Sequence, residues 1–302
     1  MFGAEVIASF ILIFSAGMVL VLGGLYLITS YSKTRYQRRS LANYEAVLQL
    51  IRLVQQHRGL CQGVISGDAL LGSKLSEVQR QIVHLVDVLN HKLEGKSQQR
   101  WEGFFDHWLR LSKGSTSAKA EDSFQQHNHM ISNLMYLSED ICLNSDLGYG
   151  ANRSQTQLLW RQLLMLSESL GQSRAIGTSV LTRQETSYLE QIRVQLLFDR
   201  IEAHIEYLAG YVSEGTQAKL QACIAPISAT LKFISEDISK VSYSGQEFFS
   251  VASHSLAQVT GMLDSEIHRV KQSLGHSTSP TVVESVTLQP DDTRVQNRMV
   301  FH

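Results

Sequence analysis

Proline is nearly missing from this 302-residue chain: it has three, and two of them, Pro280 and Pro290, fall in the last 23 positions. Chains with so few breakers favour long helices over sheets stitched by turns. A basic excess is missing too. Lys plus Arg number 27 against 28 Asp plus Glu, a net charge of −1, which excludes the positive footprint of a dedicated nucleic-acid binder. The cysteines, Cys61, Cys142 and Cys223, are odd in number and far apart. With no CxxC or metal-type spacing they read as reduced, partly buried thiols, and no metal is expected. Catalytic signatures are lacking as well: no Glu-x-x-His for a di-iron bundle, no HExxH, GxSxG or P-loop. No enzyme activity, catalytic residue or cofactor is therefore expected.

What is present begins with a long apolar run. Val6 to Ile28 is 23 residues without a charge, enough helix to cross a hydrocarbon core of about 30 Å. A cleaved signal peptide is the competing reading, but Met1 to Glu5 carries an acid and no Lys or Arg, and no A-x-A site closes a short apolar core. A pilin-type leader is set aside for want of a basic segment before Glu5. The run is read as a retained transmembrane helix. Lys33, Arg35, Arg38 and Arg39 follow it, and the positive-inside rule then puts everything C-terminal in the cytoplasm, anchored to the inner (plasma) membrane by a single pass. A basic collar on anionic lipid agrees with the same orientation; a periplasmic receptor of opposite orientation is the weaker alternative. No second span is expected, since Leu220–Ile234 is interrupted by Pro226 and Lys232.

The remainder divides by apolar periodicity and breaker residues into helices over 41–66, 75–94, 100–113, 121–143, 154–182, 185–212, 216–241 and 245–274. The strongest loop, 144–153, separates four from four. The fold class is accordingly all-α: an N-terminal transmembrane helix and basic juxtamembrane segment (1–40), then two up-and-down four-helix bundles (41–274, halves 41–143 and 154–274). From 275 to 302 the aperiodic Ser, Thr, Pro and Asp composition reads as a flexible tail.

The two halves echo each other. Val47, Ile51, Val54, Arg58, Cys61 and Ile65 make one face of a helix, and so do Leu159, Leu163, Leu166, Leu170, Arg174, Gly177 and Leu181. Each stripe puts an arginine in a core-facing slot and carries no acid. A buried guanidinium without a counter-charge costs several kcal/mol, so each must meet an anion or water. Acids from other helices, such as Glu139, Asp140, Glu236 or Asp237, are one answer. A small anion shared by the two arginines is the other. The forked, weakly hydrated guanidinium suits a planar oxyanion such as nitrate, and Gly59, Ala175 and Gly177 would leave it room.

The stretch Gln55-Gln56-His57-Arg58-Gly59 resembles the Gln-x-Glu-Arg-Gly signature of the nitrate- and nitrite-sensing (NIT) domain family, and Gln172-Ser173-Arg174-Ala175 resembles its second-half counterpart. Tyr243-Ser-Gly-Gln-Glu-Phe-Phe249 followed by Ser253 is similar to the family's aromatic-then-Thr helix. The resemblance spans about 41–274 and rests on short motifs. It implies a pair of helical bundles that bind nitrate or nitrite through arginines and relay occupancy, with Arg58, Arg174, Gln55, His57, Gln172 and Ser253 as ligand-binding residues. Two positions depart from it: His57 replaces the usual Glu, and Ser255 stands where a basic residue is expected. A protonated His57 would add a donor beside Arg58; an ordinary interior histidine is the plainer reading.

No output module of the kinds such sensors carry is visible in the sequence: no antiterminator, kinase or cyclase signature and no long heptad hairpin after the span. The partners implied are nitrate or nitrite, the inner membrane, a signalling protein that reads the bundle, and a second copy of the chain as a homodimer, with nucleic acid excluded. The alternative function is a helical scaffold that recruits a soluble protein to the membrane and binds no small ligand. His127-Asn128-His129 and the His84/His91 pair read as exposed polar positions, and Trp101, Phe104, Phe105 and Trp108 as core packing.

Overall fold

Between Leu25 and Arg58 the chain has no glycine or proline, and the helix that starts at the N-terminus runs through that interval without a break. α1 spans Phe2–Ile65, 64 residues, so the expected anchor, basic segment and first bundle helix are one element. The computed structural model of the chain describes residues 2–65, 71–90, 92–93, 96–114, 119–148 and 153–275. The expected tail beyond Gly275, the centre of the 144–153 loop and His91 lie outside them. Among the described residues there are seven more α-helices and no strand: α2 Gly72–Leu89, α3 Lys96–Gly114, α4 Ala120–Asn144, α5 Arg153–Arg183, α6 Tyr188–Leu208, α7 Glu214–Glu236 and α8 Gly245–Ser273.

The helices end for local reasons. Ser187 with Glu190 and Ser244 with Glu247 form reciprocal capping boxes at the starts of α6 and α8, each satisfying two orphan backbone donors. α7 stops at Glu236 rather than near 241. Asp237 turns extended there, and its carboxylate accepts the Ser239 N–H at 3.1 Å to open a single 3₁₀ turn, Ile238–Lys240. At the far end of α8, the Arg38 guanidinium donates to the Leu274 carbonyl at 2.9 Å. Gly275 follows with a φ of 77°, a left-handed residue closing a helix end.

α1 packs on α2 and α4, and α3 packs on α4. α5 packs on α6 and α8, and α7 bridges α6 and α8. The two sets meet where α5 touches α4 and α1, with Tyr44 and Trp160 stacked at a tilt, their rings 4.8 Å apart. One apolar cluster runs through both sets, from Leu50, Ile82 and Leu134 to Leu166, Ile201, Ile224 and Val259.

Among the described side chains of α1, which start at Ile13, burial begins at Gln37. Ile13, Phe14, Val19, Leu20, Leu25 and Ile28 are exposed, as are Tyr26, Tyr31 and Tyr36. This apolar stretch, exposed at its described residues and followed by tyrosines and basic residues, is long and apolar enough to cross a membrane. Two of the four basic residues are tied inward: Lys33 reaches Asp146 at 3.5 Å and Arg38 the end of α8, while Arg35 and Arg39 are exposed or nearly so.

Candidate functional site: a buried arginine–glutamate knot

Arg58 projects from α1 toward α5 and is 1% exposed. Its counter-charge is Glu168, which none of the expected acids anticipated. Nη1 donates to Glu168 Oε1 at 2.6 Å and to Asn128 Oδ1 at 2.5 Å, and Nη2 donates to Glu168 Oε2 at 3.3 Å. The Glu168 carboxylate also accepts from Gln55 at 2.8 Å and from Gln172 at 2.7 Å. Four donors on one carboxylate form the closed geometry that makes a buried ion pair tolerable. Phe124 lies 5.4 Å from the Arg58 guanidinium carbon. Glu139 and Asp140, two of the acids the sequence offered, pair with Arg161 and Arg100 instead, and Asp237 pairs with Lys240.

Arg174, six residues after Glu168 on α5, has a different environment. Nη1 donates to Ser253 Oγ at 3.0 Å and the guanidinium sits over the Phe249 ring, 5.0 Å from its centroid. Among the described residues no carboxylate pairs with it. Burial and the nearby Arg58 charge pull its pKa down, and Glu168 partly restores it. Both arginines thus lie in the field of one carboxylate, and only Arg58 holds it.

Of the six residues expected at the site, Arg58, Gln55 and Gln172 converge on Glu168, while Arg174 and Ser253 form the adjoining pair. His57 does not join them. It points to the other side of α1, where Nδ1 is 2.8 Å from His127 Nε2 and Nε2 is 3.2 Å from the Gln79 amide nitrogen. Cys61 Sγ is 3.4 Å from His57 Nδ1, and Trp108 meets the His57 ring edge-on at 5.1 Å. His127 is therefore a core residue and not the exposed one expected, whereas His84 and His129 are exposed. Desolvation, aided by the charge of its histidine neighbour, pushes the His57 pKa down to about 3, and burial takes His127 to about 4. Neither ring charges near neutral pH, so His57 is not a protonated donor for Arg58.

The small residues also differ from expectation. Gly59 faces open space, and the place of a Gly177 side chain is filled by the Phe248 ring; the glycine beside Arg58 is Gly171, where a Cβ would sit 3.2 Å from Nη2. Ser255 is buried and donates to the Cys223 carbonyl at 2.5 Å, away from both arginines. Glu168 escaped the periodicity because α5 is buried on more than one face: Ser167, Glu168, Ser169 and Leu170 are all buried. A single-stripe reading samples only one of those faces.

No protein-family model matches the chain, and no curated protein matches it. Among solved structures it is similar to that of the NasR transcription antiterminator, at 14% identity and a TM-score of 0.61, over 81% of this chain and 71% of that one. At that identity the likeness is one of fold.

Proposed function

We propose that the chain is a membrane-anchored signalling protein that senses a small planar oxyanion, nitrate or nitrite, and passes its occupancy to a partner protein. In this reading α1–α4 and α5–α8 are two four-helix bundles, and the ligand lies at their seam. Arg174 is the ligand-facing cation. The observation that carries the reading is its state: a largely buried guanidinium, stacked on Phe249 and bonded to Ser253, with no carboxylate partner among the described residues. Such a group attracts a weakly hydrated anion. Glu168 serves as a resident competitor for Arg58, and an arriving oxyanion draws Arg58 toward Arg174. That exchange supplies two seam packings whose balance the ligand shifts. Likeness of fold to a regulator of transcription accords with a signalling role, as does the motif resemblance around Arg58 and Arg174. The basic residues after the span support a cytoplasmic sensor at the inner membrane.

Calorimetry on the full chain in detergent micelles, titrated with nitrate, nitrite and chloride, tests the reading. Saturable binding of nitrate or nitrite is expected, lost in Arg174→Ala and tightened in Glu168→Gln, which withdraws the competing charge. A flat wild-type titration would sink the sensor and favour the scaffold, a role the closed Arg58–Glu168 pair already suits.

A further inference from the structure

Three metal-ligating side chains outside the arginine knot converge in the core. His57, Cys61 and His127 are each fully buried, and their ligand atoms lie within 4.8 Å of one another. His57 and Cys61 are one turn apart on α1, and His127 faces them from α4. Helical i, i+4 spacing brings the first pair together, and packing of α1 on α4 supplies the third. We propose that these residues form a binding site for a single cuprous ion.

Hydrogen bonding orients the rings for it. The 2.6 Å contact to the Ser123 carbonyl means that His127 Nδ1 carries a proton and donates it. Its Nε2 lone pair is left aimed at His57 Nδ1, 2.8 Å away. A ligating histidine held through its other nitrogen by a backbone carbonyl is the usual outer-shell arrangement of metal sites. His57 offers Nδ1 once its proton shifts to Nε2, where the Gln79 amide, turned over, accepts it through oxygen. Cys61 supplies a thiolate, its proton leaving to solvent. Bonds of about 2.0–2.3 Å at trigonal angles put ligand atoms about 3.5 Å apart. The Cys61–His57 separation of 3.4 Å already meets this, and the two rings need to part by about 0.7 Å. Cys61 and His127, within 4.8 Å of each other, close onto the ion by side-chain rotation.

The choice of metal follows from charge and softness. Two imidazoles and one thiolate suit copper or zinc. The three ligating side chains are fully buried, and the neighbouring Asn128 already accepts from Arg58 at 2.5 Å. A divalent ion with one thiolate would leave a net positive charge buried beside that guanidinium, whereas a cuprous thiolate is neutral.

The test is copper retention by the full chain in detergent, reduced with ascorbate and challenged with bicinchoninate. One equivalent of cuprous copper per chain is expected to stay bound. Affinity should fall by about 100-fold or more in Cys61→Ser and in His127→Asn, and stay unchanged in Cys223→Ser. X-ray absorption on the wild type should show one sulfur and two nitrogen neighbours, which decides the matter even where a variant folds poorly. No retained copper, retention indifferent to Cys61→Ser, or preferential loading with zinc would each overturn the assignment. None of these readouts depends on oxyanion binding.

Discussion

Glu168 on α5 and Arg58 on α1 meet at 2.6 Å with side chains 9% and 2% exposed, a buried ion pair between the two sets of helices, whereas Arg52–Asp264, Arg161–Glu139, Arg193–Glu121 and Lys271–Glu45 join them nearer the surface. Breaking the buried pair from one side strands the other charge. Glu168→Ala should cost about 3–5 kcal/mol in chemical denaturation, and the paired replacement Arg58→Met with Glu168→Leu should recover most of that. Nitrate should raise the melting temperature of Glu168→Gln more than that of wild type, because binding then supplies the missing anion.

Acid should destabilise the protein in a defined window. His57 and His127, with pKa values of about 3 and about 4 when folded, return to about 6.5 on unfolding. Above about 6.5 both states are neutral and no penalty exists. As pH falls below that value the unfolded chain takes up protons that the fold refuses, so stability declines until the folded values are reached. Melting temperatures recorded from pH 7 to 5 should drop, and His57→Gln with His127→Gln should flatten the slope.

Two glycines should respond in opposite directions. Gly177→Ala drives a Cβ into the buried Phe248 ring and should cost about 1–3 kcal/mol by overpacking. Gly59→Ala meets nothing within 4 Å on an exposed helix position and should stabilise by about 0.5–1 kcal/mol. Thermal unfolding of the two variants side by side checks both signs.

In the proposed reading, membrane attachment rests on the exposed apolar run of α1. Leu20→Arg with Leu22→Arg adds about 5–7 kcal/mol to insertion, and alkaline carbonate should then release a chain that otherwise stays with the membrane fraction.

Much of the helical plan was legible in the sequence. α4, α5 and α8 begin and end within a residue or two of where apolar periodicity and breakers put them. α1 was longer than expected because the basic residues after the span are good helix formers and nothing there breaks a helix. The site was legible in part. Arg58 and Arg174 stood out as charges on apolar stripes, with Gln55, Gln172 and Ser253 nearby. Glu168 did not, since its face of α5 is buried only through contact with α1, a tertiary fact. His127 looked like a surface histidine for the same reason: no local pattern tells that α1 will cover it.

The unbroken α1 has a mechanical meaning. From Leu25 in the exposed apolar run to Arg58 at the seam it is a rod about 50 Å long with no glycine or proline to act as a joint. A slide or twist imposed at one end has nowhere to dissipate along its length. In the membrane-anchored reading proposed above, a rearrangement around Arg58 is therefore delivered at the lipid surface as movement of the whole shaft.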